Sequence, residues 1–180
     1  DEKKQFIKSY TIHGVGKGSR VDIRTNTGHE LGTDVPQTMG GTDSAPQPVE
    51  TLLAALLGCT QATAMFVGRH LEPRILIERL EFVDIVAERD ERGALSLPIE
   101  TDPPSTPARL QKITGTIQVY RKSLKKTEAP RPPLLSQEQL DMLSRQTELR
   151  CPVANMMIAS GCEMNIQWID GSTTGSSSKD

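Results

Sequence analysis

The segment from Glu50 to His70 has almost no polar face. Its sequence, ETLLAALLGCTQATAMFVGRH, spreads Leu, Ala, Met, Phe and Val around nearly every helical turn. Pro48 is favourable in the first turn of a helix, and Pro73 stops the helix shortly after Gly68. A helix that is apolar nearly all round is a buried one. We therefore expect it to pack on a sheet from one side and on a second helix from the other.

Segments with strand and helix patterns lie on both sides of this helix. Residues 5–35 alternate as two or three short strands separated by glycine turns, and two further strands are predicted within residues 75–93 and 111–123. A helix follows from Ser136, where S-x-x-Q matches a capping box. A second helix begins at Pro152 and a last strand covers 163–169.

The resulting order, βββ-α-ββ-α-α-β, predicts an α+β fold with largely antiparallel sheets. Internal repeats are not visible. We expect a single domain over residues 1–170 and a flexible C-terminal tail over residues 171–180, where the sequence is GSTTGSSSKD.

Composition argues against several classes of partner. The net charge is -2 and aromatic residues make up 3% of the chain, so we expect no nucleic-acid partner, since such sites need basic patches or stacking rings. No uninterrupted apolar stretch reaches the roughly 18 residues of a membrane span, so we expect no membrane partner. The chain starts at Asp1 rather than Met. We expect a cytoplasmic protein, or an organellar one, such as mitochondrial, if an N-terminal targeting segment was removed.

Cys151 directly precedes Pro152, which we place at the first helical position, so the thiol occupies or adjoins the N-cap. Unpaired backbone N–H groups and the helix dipole favour a thiolate there. Arg150 would help if its side chain turned inward. The alternative is a small buried hydrophobic residue that happens to precede a helix.

Cys59 lies in the most apolar segment of the chain, followed by the polar residues Thr60, Gln61 and Thr63. Burial alone raises the pKa of a thiol and makes it inert. By itself this pattern favours a core cysteine over a catalytic one. Gly58 leaves room for another chain or a substrate to approach the helix backbone.

Glu50 is a candidate carboxylate for orienting Cys59, but nine residues of ideal helix span about 13.5 Å. Within one chain the two are not expected to touch unless the first turn frays. Glu50 would otherwise act on the cysteine of a neighbouring subunit. The alternative is a first-turn acid that complements the helix dipole.

Two separated motifs resemble the OsmC/Ohr family. GGTDSAPQPVETLLAALLGCTQAT is similar to its first cysteine helix, and RCPVANMMIASG is similar to its second cysteine motif. The strand order, the ARLQKI strand and the segment with Gly28, His29, Leu31, Asp34 and Pro36 are similar too. The resemblance extends over roughly residues 10–169.

This resemblance implies an OsmC-like fold in which antiparallel sheets wrap around central cysteine-bearing helices of an intertwined homodimer. It also implies a thiol peroxidase that prefers organic hydroperoxides to hydrogen peroxide. Cys59 would become a sulfenic acid, Cys151 would resolve it to a disulfide, and an external dithiol would reduce the disulfide. The family needs no metal, haem or flavin cofactor. Glu50 is the third expected catalytic residue.

The sequence departs from the peroxidase members at two points. Those proteins use an arginine from the N-terminal sheet or its following loop, whereas the positions before GGTD here are Gln37–Met39. Arg20 and Arg24 are the upstream candidates. The acid also lies one position nearer the cysteine than in the best-studied peroxidases, as in a more divergent OsmC-like branch. Two alternatives therefore remain: a redox sensor or other cysteine nucleophile, and a small-molecule-binding dimer without turnover.

Overall fold

The computed structural model describes residues 6–102, 104–122 and 133–173. The chain divides into two compact units, Asp1–Ala54 and Ala55–Asp180. Each unit contains its own three-stranded sheet. The single domain predicted over residues 1–170 stays a prediction.

An antiparallel sheet dominates the first unit. Its strands are β1 (Ile12–Lys17), β2 (Arg20–Thr25) and β3 (Glu30–Thr33), in the order β1-β2-β3. The two turns contain Gly18 and Gly28 at φ 61° and 88°, a left-handed conformation that glycine adopts without steric cost. The short strands and glycine turns predicted within residues 5–35 are thus present.

Asp34 is the buried polar centre of the loop after β3. Its carboxylate accepts hydrogen bonds from the hydroxyls of Ser19, Thr42 and Ser44 at 2.6, 2.7 and 2.9 Å. The backbone N–H groups of Val35, Thr42 and Ser44 also donate to it, at 2.8–3.2 Å. These bonds, led by the one from Ser19, hold the pKa of Asp34 well below its usual range. A charged carboxylate with this many donors fixes the course of the loop.

Helix α1 (Pro48–His70) begins at the predicted proline. The sequence predicts a helix buried on all sides, and this is wrong for the single chain. One stripe is buried, consisting of Leu56, Thr60, Ala64, Val67 and Gly68. Another stripe is exposed, consisting of Ala55, Gly58, Ala62 and Phe66. Apolar composition indicates that a surface tends to be covered, but it does not say that the same chain covers it.

Within the described residues, α1 is also the one helix long and apolar enough to cross a membrane by length and composition. An 18-residue window has a mean hydropathy of 1.5, and 28% of that window is buried. The expectation that no apolar segment reaches the length of a membrane span is therefore wrong. Thr60, Gln61 and Thr63 interrupt the apolar run, but the mean hydropathy of the window stays high. The core helix of a soluble protein meets the same criterion.

The second unit contains a mixed sheet of β4 (Ile77–Glu88), β5 (Lys112–Arg121) and β6 (Glu163–Asp170), in that order. β4 and β5 are antiparallel, with a bulge between Val83 and Val86 where the sequence alternation weakens. β5 and β6 are parallel. Parallel neighbours need a long crossover, and the chain between these strands supplies one. The prediction of largely antiparallel sheets holds for the other pairings of the described strands.

Besides the part of α1 from Ala55 onward, this unit contains α2 (Arg92–Leu95), α3 (Gln137–Arg150) and α4 (Pro152–Ala159). The predicted capping box of α3 is complete, because Ser136 accepts from the N–H of Gln139 and Gln139 accepts from the N–H of Ser136. Gly161 follows α4 at φ 89°, the left-handed conformation that ends many helices.

The core of the second unit lies between its sheet and the helices α1 and α3. It consists of Ala64, Val67, Ile75, Ile77, Leu80, Ile117, Val119, Leu135, Leu140, Leu143 and Trp168. The side-chain oxygen of Gln61 accepts the backbone N–H of Leu80 at 2.9 Å, which ties α1 to the β4 strand. Cys162 is buried as well.

Asp170 ends β6 as a buried carboxylate. It accepts the N–H of Leu135 at 2.8 Å and that of Ser172 at 2.9 Å, and it pairs with the Arg121 guanidinium at 3.2 Å. A short 3-10 helix, Gly171–Thr173, follows. Residues 174–180 of the predicted tail lie outside the described residues.

Candidate active site

Cys59 is carried by α1 and is half-buried. Its neighbour one turn later is Thr63, whose hydroxyl oxygen lies 4.0 Å from the Cys59 sulfur. The buried stripe of the same helix includes Leu56 and Thr60 on either side of the cysteine in sequence. Cys59 is therefore neither fully buried in the core nor fully exposed at the surface.

Cys151 lies at the junction between α3 and α4 and is fully buried. Its backbone N–H donates to the carbonyl oxygen of Thr147 at 2.8 Å, closing the last turn of α3. Its sulfur accepts the N–H of Ala154 at 3.4 Å, so the thiol caps α4 as predicted. Pro152 takes the first helical position, where its missing N–H is not needed.

The two thiols meet. Cys59 and Cys151 are both free, and the two thiols lie close enough for Cys59 to influence the pKa of Cys151. Burial raises the pKa of Cys151, and the neighbouring Cys59 thiol raises it further, while the N–H of Ala154 acts in the opposite direction. The expectation that the helix N-terminus favours a thiolate at Cys151 is therefore wrong, because desolvation outweighs the cap.

Arg150 does not supply a charge to this thiol. Its guanidinium hydrogen-bonds to the side chain of Gln146 on the exposed side of α3. The predicted help from an inward-turned Arg150 is thus not observed, and the Cys151 surroundings are largely apolar.

Glu50 lies in the first turn of α1, within the first unit. It is exposed, and its carboxylate accepts the N–H of Gln47 at 2.8 Å. This is the contact that the acid of a capping box makes. The capping alternative raised by the sequence therefore has a structural basis, while the catalytic role of Glu50 stays a prediction.

The two candidate arginines have partners within the first unit. Arg20 pairs with Asp22 and donates to the Ser44 hydroxyl at 2.8 Å. Arg24 pairs with Glu30 on the neighbouring strand. Both are tied to their own sheet in this structure, and their assistance to Cys59 stays a prediction.

A narrow cavity adjoins Cys151 within the second unit. It is about 10 Å³ in volume, close to the volume of one water-sized sphere. Its walls are mostly apolar, including Leu56, Ile117 and Trp168. Thr147 and Glu148 also line it, and neither residue is among those predicted from the sequence. The signal that could have found them is their position, because Thr147 lies four residues before Cys151 and Glu148 three.

Within the described residues, no group of three or more His, Cys, Asp or Glu side chains is arranged to hold a metal ion. Near Cys151 the structure places the Cys59 thiol, the Thr147 hydroxyl and the Glu148 carboxyl group.

The fold and the paired thiols define a class of α+β proteins with one cysteine inside a long helix and a second at the start of a later helix. The profile described as OsmC-like protein matches residues 41–167. The chain belongs to the OsmC-like family.

Solved structures with the same fold are distant in sequence. The organic hydroperoxide resistance protein OsmC of Legionella pneumophila is 13% identical, with a TM-score of 0.61, over 91% of this chain and 98% of that one. The OsmC-like protein of Mycoplasma pneumoniae is 19% identical, with a TM-score of 0.63, over 89% and 96%. The organic hydroperoxide resistance protein OhrB of Bacillus subtilis is 13% identical, with a TM-score of 0.56, over 89% and 98%. Comparison with curated proteins gives no significant match.

Proposed function

We propose that this chain is a thiol-dependent peroxidase that reduces organic hydroperoxides, with Cys59 as the peroxide-reacting thiol and Cys151 as the resolving thiol. The observation that carries the proposal is the pairing of two free thiols from separate helices in an OsmC-like chain. Two of the similar structures are named for organic hydroperoxide resistance. Hydrogen peroxide is the second substrate to test.

The different surroundings of the two thiols support this order of reaction. Cys59 is half-buried, so a small substrate can reach it, whereas Cys151 is fully buried. The raised pKa of Cys151 keeps it protonated at neutral pH, and the thiolate is the nucleophilic form of cysteine. Cys151 is therefore suited to react second, once an electrophilic sulfur has formed beside it.

The proposed cycle uses no metal, haem or flavin. The Cys59 thiolate attacks one peroxide oxygen, the O–O bond breaks, and the other oxygen leaves as an alcohol after taking up a proton. Cys59 is then a sulfenic acid. The Cys151 sulfur attacks the Cys59 sulfur, the S–O bond breaks, and water leaves as the disulfide forms. An external dithiol reduces this disulfide and restores both thiols.

The test is the intact mass of the reduced protein after one equivalent of cumene hydroperoxide. The wild type is expected to lose two hydrogens rapidly, with the disulfide mapped to Cys59 and Cys151. Cys59→Ser is expected to leave the peroxide unreacted, and Cys151→Ser to accumulate sulfenic and then sulfinic acid at Cys59. Cys162→Ser is the matched control and is expected to behave as the wild type.

Other outcomes separate the alternatives. Oxidation of Cys59 without turnover in excess dithiol would indicate a redox sensor instead of a peroxidase. If both thiols stay reduced while the peroxide persists, the proposed function is overturned, and the binding-dimer hypothesis gains weight.

Glu50 and one of the two arginines are proposed as assisting groups. Removing the carboxylate in Glu50→Gln separates its two roles. If Glu50 acts in catalysis, the rate of Cys59 oxidation falls while the helix content is retained. If it only caps α1, the rate stays near that of the wild type and the thermal midpoint falls slightly.

We also propose that the chain forms a homodimer through the exposed stripe of α1. An apolar surface on this helix is formed by Ala55, Gly58, Ala62 and Phe66, and Phe66 is 49% exposed. Sedimentation velocity tests this directly. Ala62→Glu is expected to give a monomer, whereas Leu95→Glu, at another exposed apolar position, is expected to leave the dimer intact. A monomeric wild type at micromolar concentration would contradict the proposal.

A further inference from the structure

Thr147 is buried without a hydrogen-bond partner. It is only 1% exposed, and among the described residues its Oγ1 is the buried side-chain oxygen or nitrogen that lacks a partner. Nearly all buried polar groups in proteins are hydrogen-bonded, and an unpaired one destabilises the fold. A buried threonine in this state points to a ligand that the hydroxyl binds.

The position of Thr147 places such a ligand next to Cys151. The Thr147 carbonyl oxygen accepts the backbone N–H of Cys151 at 2.8 Å, so the two residues are one turn apart. Both line the small cavity described above. A volume of about 10 Å³ accommodates about one water molecule. The hydroxyl of Thr147, the Cys151 thiol and a water would therefore share this space.

Glu148 lines the same cavity and is half-buried. No described lysine, arginine or histidine forms a salt bridge with it, in contrast to Asp90 or Asp170. Burial raises the pKa of its carboxyl group above the ordinary value. A carboxyl group with a raised pKa is a better proton acceptor than a surface glutamate, because its proton affinity lies nearer to that of a thiol.

Cys151 needs such an acceptor. It is fully buried, and its raised pKa keeps the proton on sulfur. Resolution of a sulfenic acid requires the resolving sulfur to lose this proton as it attacks. Since the N-cap contact from Ala154 does not offset burial, another group has to take the proton.

We propose that Thr147 and Glu148 form a proton-transfer site that activates Cys151 as the resolving nucleophile. This inference rests on the proposed peroxidase function. The Thr147 hydroxyl holds a water in the cavity, and Glu148 accepts the Cys151 proton through that water. The Cys151 sulfur bonds to the Cys59 sulfur while the Cys59 S–O bond breaks. The departing hydroxide takes the proton back from Glu148 and leaves as water, so the carboxylate is regenerated.

The experiment resolves the two chemical steps in a single turnover. Reduced protein is mixed with one equivalent of cumene hydroperoxide. Cys59 sulfenic acid is counted by dimedone trapping, and the disulfide by intact mass after acid quench. Glu148→Gln is expected to form the sulfenic acid at the wild-type rate but to close the disulfide at least about tenfold more slowly. Glu138→Gln, at an exposed glutamate of the same helix, is the matched control and is expected to close it normally.

Thr147 is tested by a pair of variants. Thr147→Val keeps the shape and removes the hydroxyl, and is expected to slow disulfide closure about threefold to tenfold. Thr147→Ser keeps the hydroxyl and is expected to stay within about twofold of the wild type. Because the hydroxyl has no partner in the fold, the thermal midpoint of Thr147→Val is expected to be equal or higher. A slower reaction in an equally stable protein distinguishes proton transfer from a packing role.

The pH profile adds a readout that packing would not change. In the wild type, disulfide closure is expected to rise with pH through the titration of Glu148 and then level off. In Glu148→Gln that rise is expected to disappear, leaving only an increase at alkaline pH as Cys151 ionises on its own. If Glu148→Gln closes the disulfide at the wild-type rate across the whole pH range, the inference is overturned.

A second oxidant separates this inference from the proposed function. Diamide also makes a protein thiol the second nucleophile, since one thiol adds to it and the other then displaces the hydrazine. The same ranking of variants is expected with diamide. If cumene hydroperoxide fails to oxidise Cys59 but Glu148→Gln still slows the diamide reaction, the proposed function fails and the proton-transfer site stands. If the variants match the wild type with diamide, or no disulfide forms with either oxidant, the inference is overturned.

Discussion

The thiol of Cys151 lies beside that of Cys59, although the two cysteines belong to different helices. The contact joins the middle of α1 to the start of α4. Burial and this contact together favour the protonated form of Cys151. The pair is therefore held close in the reduced state without a covalent bond.

The first prediction concerns this proton. Replacing Cys59 by alanine removes the second cause of the raised Cys151 pKa and leaves burial, the larger cause, in place. The Cys151 pKa is therefore expected to fall. The measurement is the rate of Cys151 alkylation by iodoacetamide against pH, followed by peptide mass spectrometry. An unchanged midpoint would show that the contact with Cys59 does not influence Cys151.

The second prediction concerns the close approach of α1 to the segment before β4. A Cβ atom on Gly68 would lie 2.2 Å from the carbonyl oxygen of Ile75, so the backbone must move. Gly68→Ala is expected to lower the free energy of unfolding by about 2 kcal/mol or more. At Gly58 no atom of the chain lies within 4 Å of such a Cβ. Both glycine substitutions are made in the Ala62→Glu background, in which the proposed dimer is broken. There Gly58→Ala is the matched control, and urea unfolding that ranks the two glycine variants equally would contradict the packing.

The third prediction concerns Asp170. Its carboxylate satisfies the N–H of Leu135 and pairs with Arg121, whose side chain is also largely buried. Asp170→Ala leaves the Arg121 charge without its carboxylate partner, with only the Pro133 carbonyl oxygen as acceptor, and leaves the Leu135 N–H unpaired. The variant is expected to cost about 3 kcal/mol in urea unfolding. Asp141→Ala, at an exposed aspartate of α3, is expected to change stability by less than about 0.5 kcal/mol. A loss below 1 kcal/mol for Asp170→Ala would refute this role.

The fourth prediction concerns acid stability. The pKa of Asp34 in the fold lies below its ordinary value of 3.8, so its ionised form is stabilised by folding. That contribution is complete above the ordinary pKa and is lost as the pH falls through the lower folded value. In Asp34→Asn the amide nitrogen cannot accept the hydrogen bonds, so the melting temperature is expected to fall at neutral pH and to depend less on pH below 3.8.

The control for Asp34 is another aspartate of the same loop. Asp43 is exposed and has φ 55°, a conformation that asparagine also tolerates. Asp43→Asn is expected to melt as the wild type at every pH. Equal melting curves for the Asp34 and Asp43 variants would mean that the buried network does not stabilise the fold.

Local features of the fold could be predicted because they depend on a few neighbouring residues. The capping box of Ser136 and Gln139, the start of α1 at Pro48 and the thiol cap at Cys151 all follow from short-range chemistry. The parallel pairing of β5 with β6 did not follow, because its direction depends on where two intervening helices pack. The prediction that α1 is buried on all sides was wrong for a related reason, since the sequence does not say which surface covers an apolar face.

The candidate site also combines features that the sequence predicts with features that depend on tertiary packing. The apolar sequence around Cys59 by itself favours a core cysteine over a catalytic one. Only the family resemblance links Cys59 to Cys151. Thr147 and Glu148 were missed because polar residues on an amphipathic helix normally face solvent. Their importance comes from the cavity that tertiary packing leaves beside Cys151. The sign of the Cys151 pKa shift was also wrong, because burial cannot be read from a two-residue motif.

The wall of this cavity contains Trp168, and the chain has a single tryptophan. All of the protein's indole fluorescence therefore originates at a buried residue that lines the same cavity as Cys151. Thiols, thiolates and disulfides quench an excited indole to different extents. The protein thus carries its own optical probe, and a stopped-flow trace of its emission would follow the oxidation state of the cysteine pair without any label.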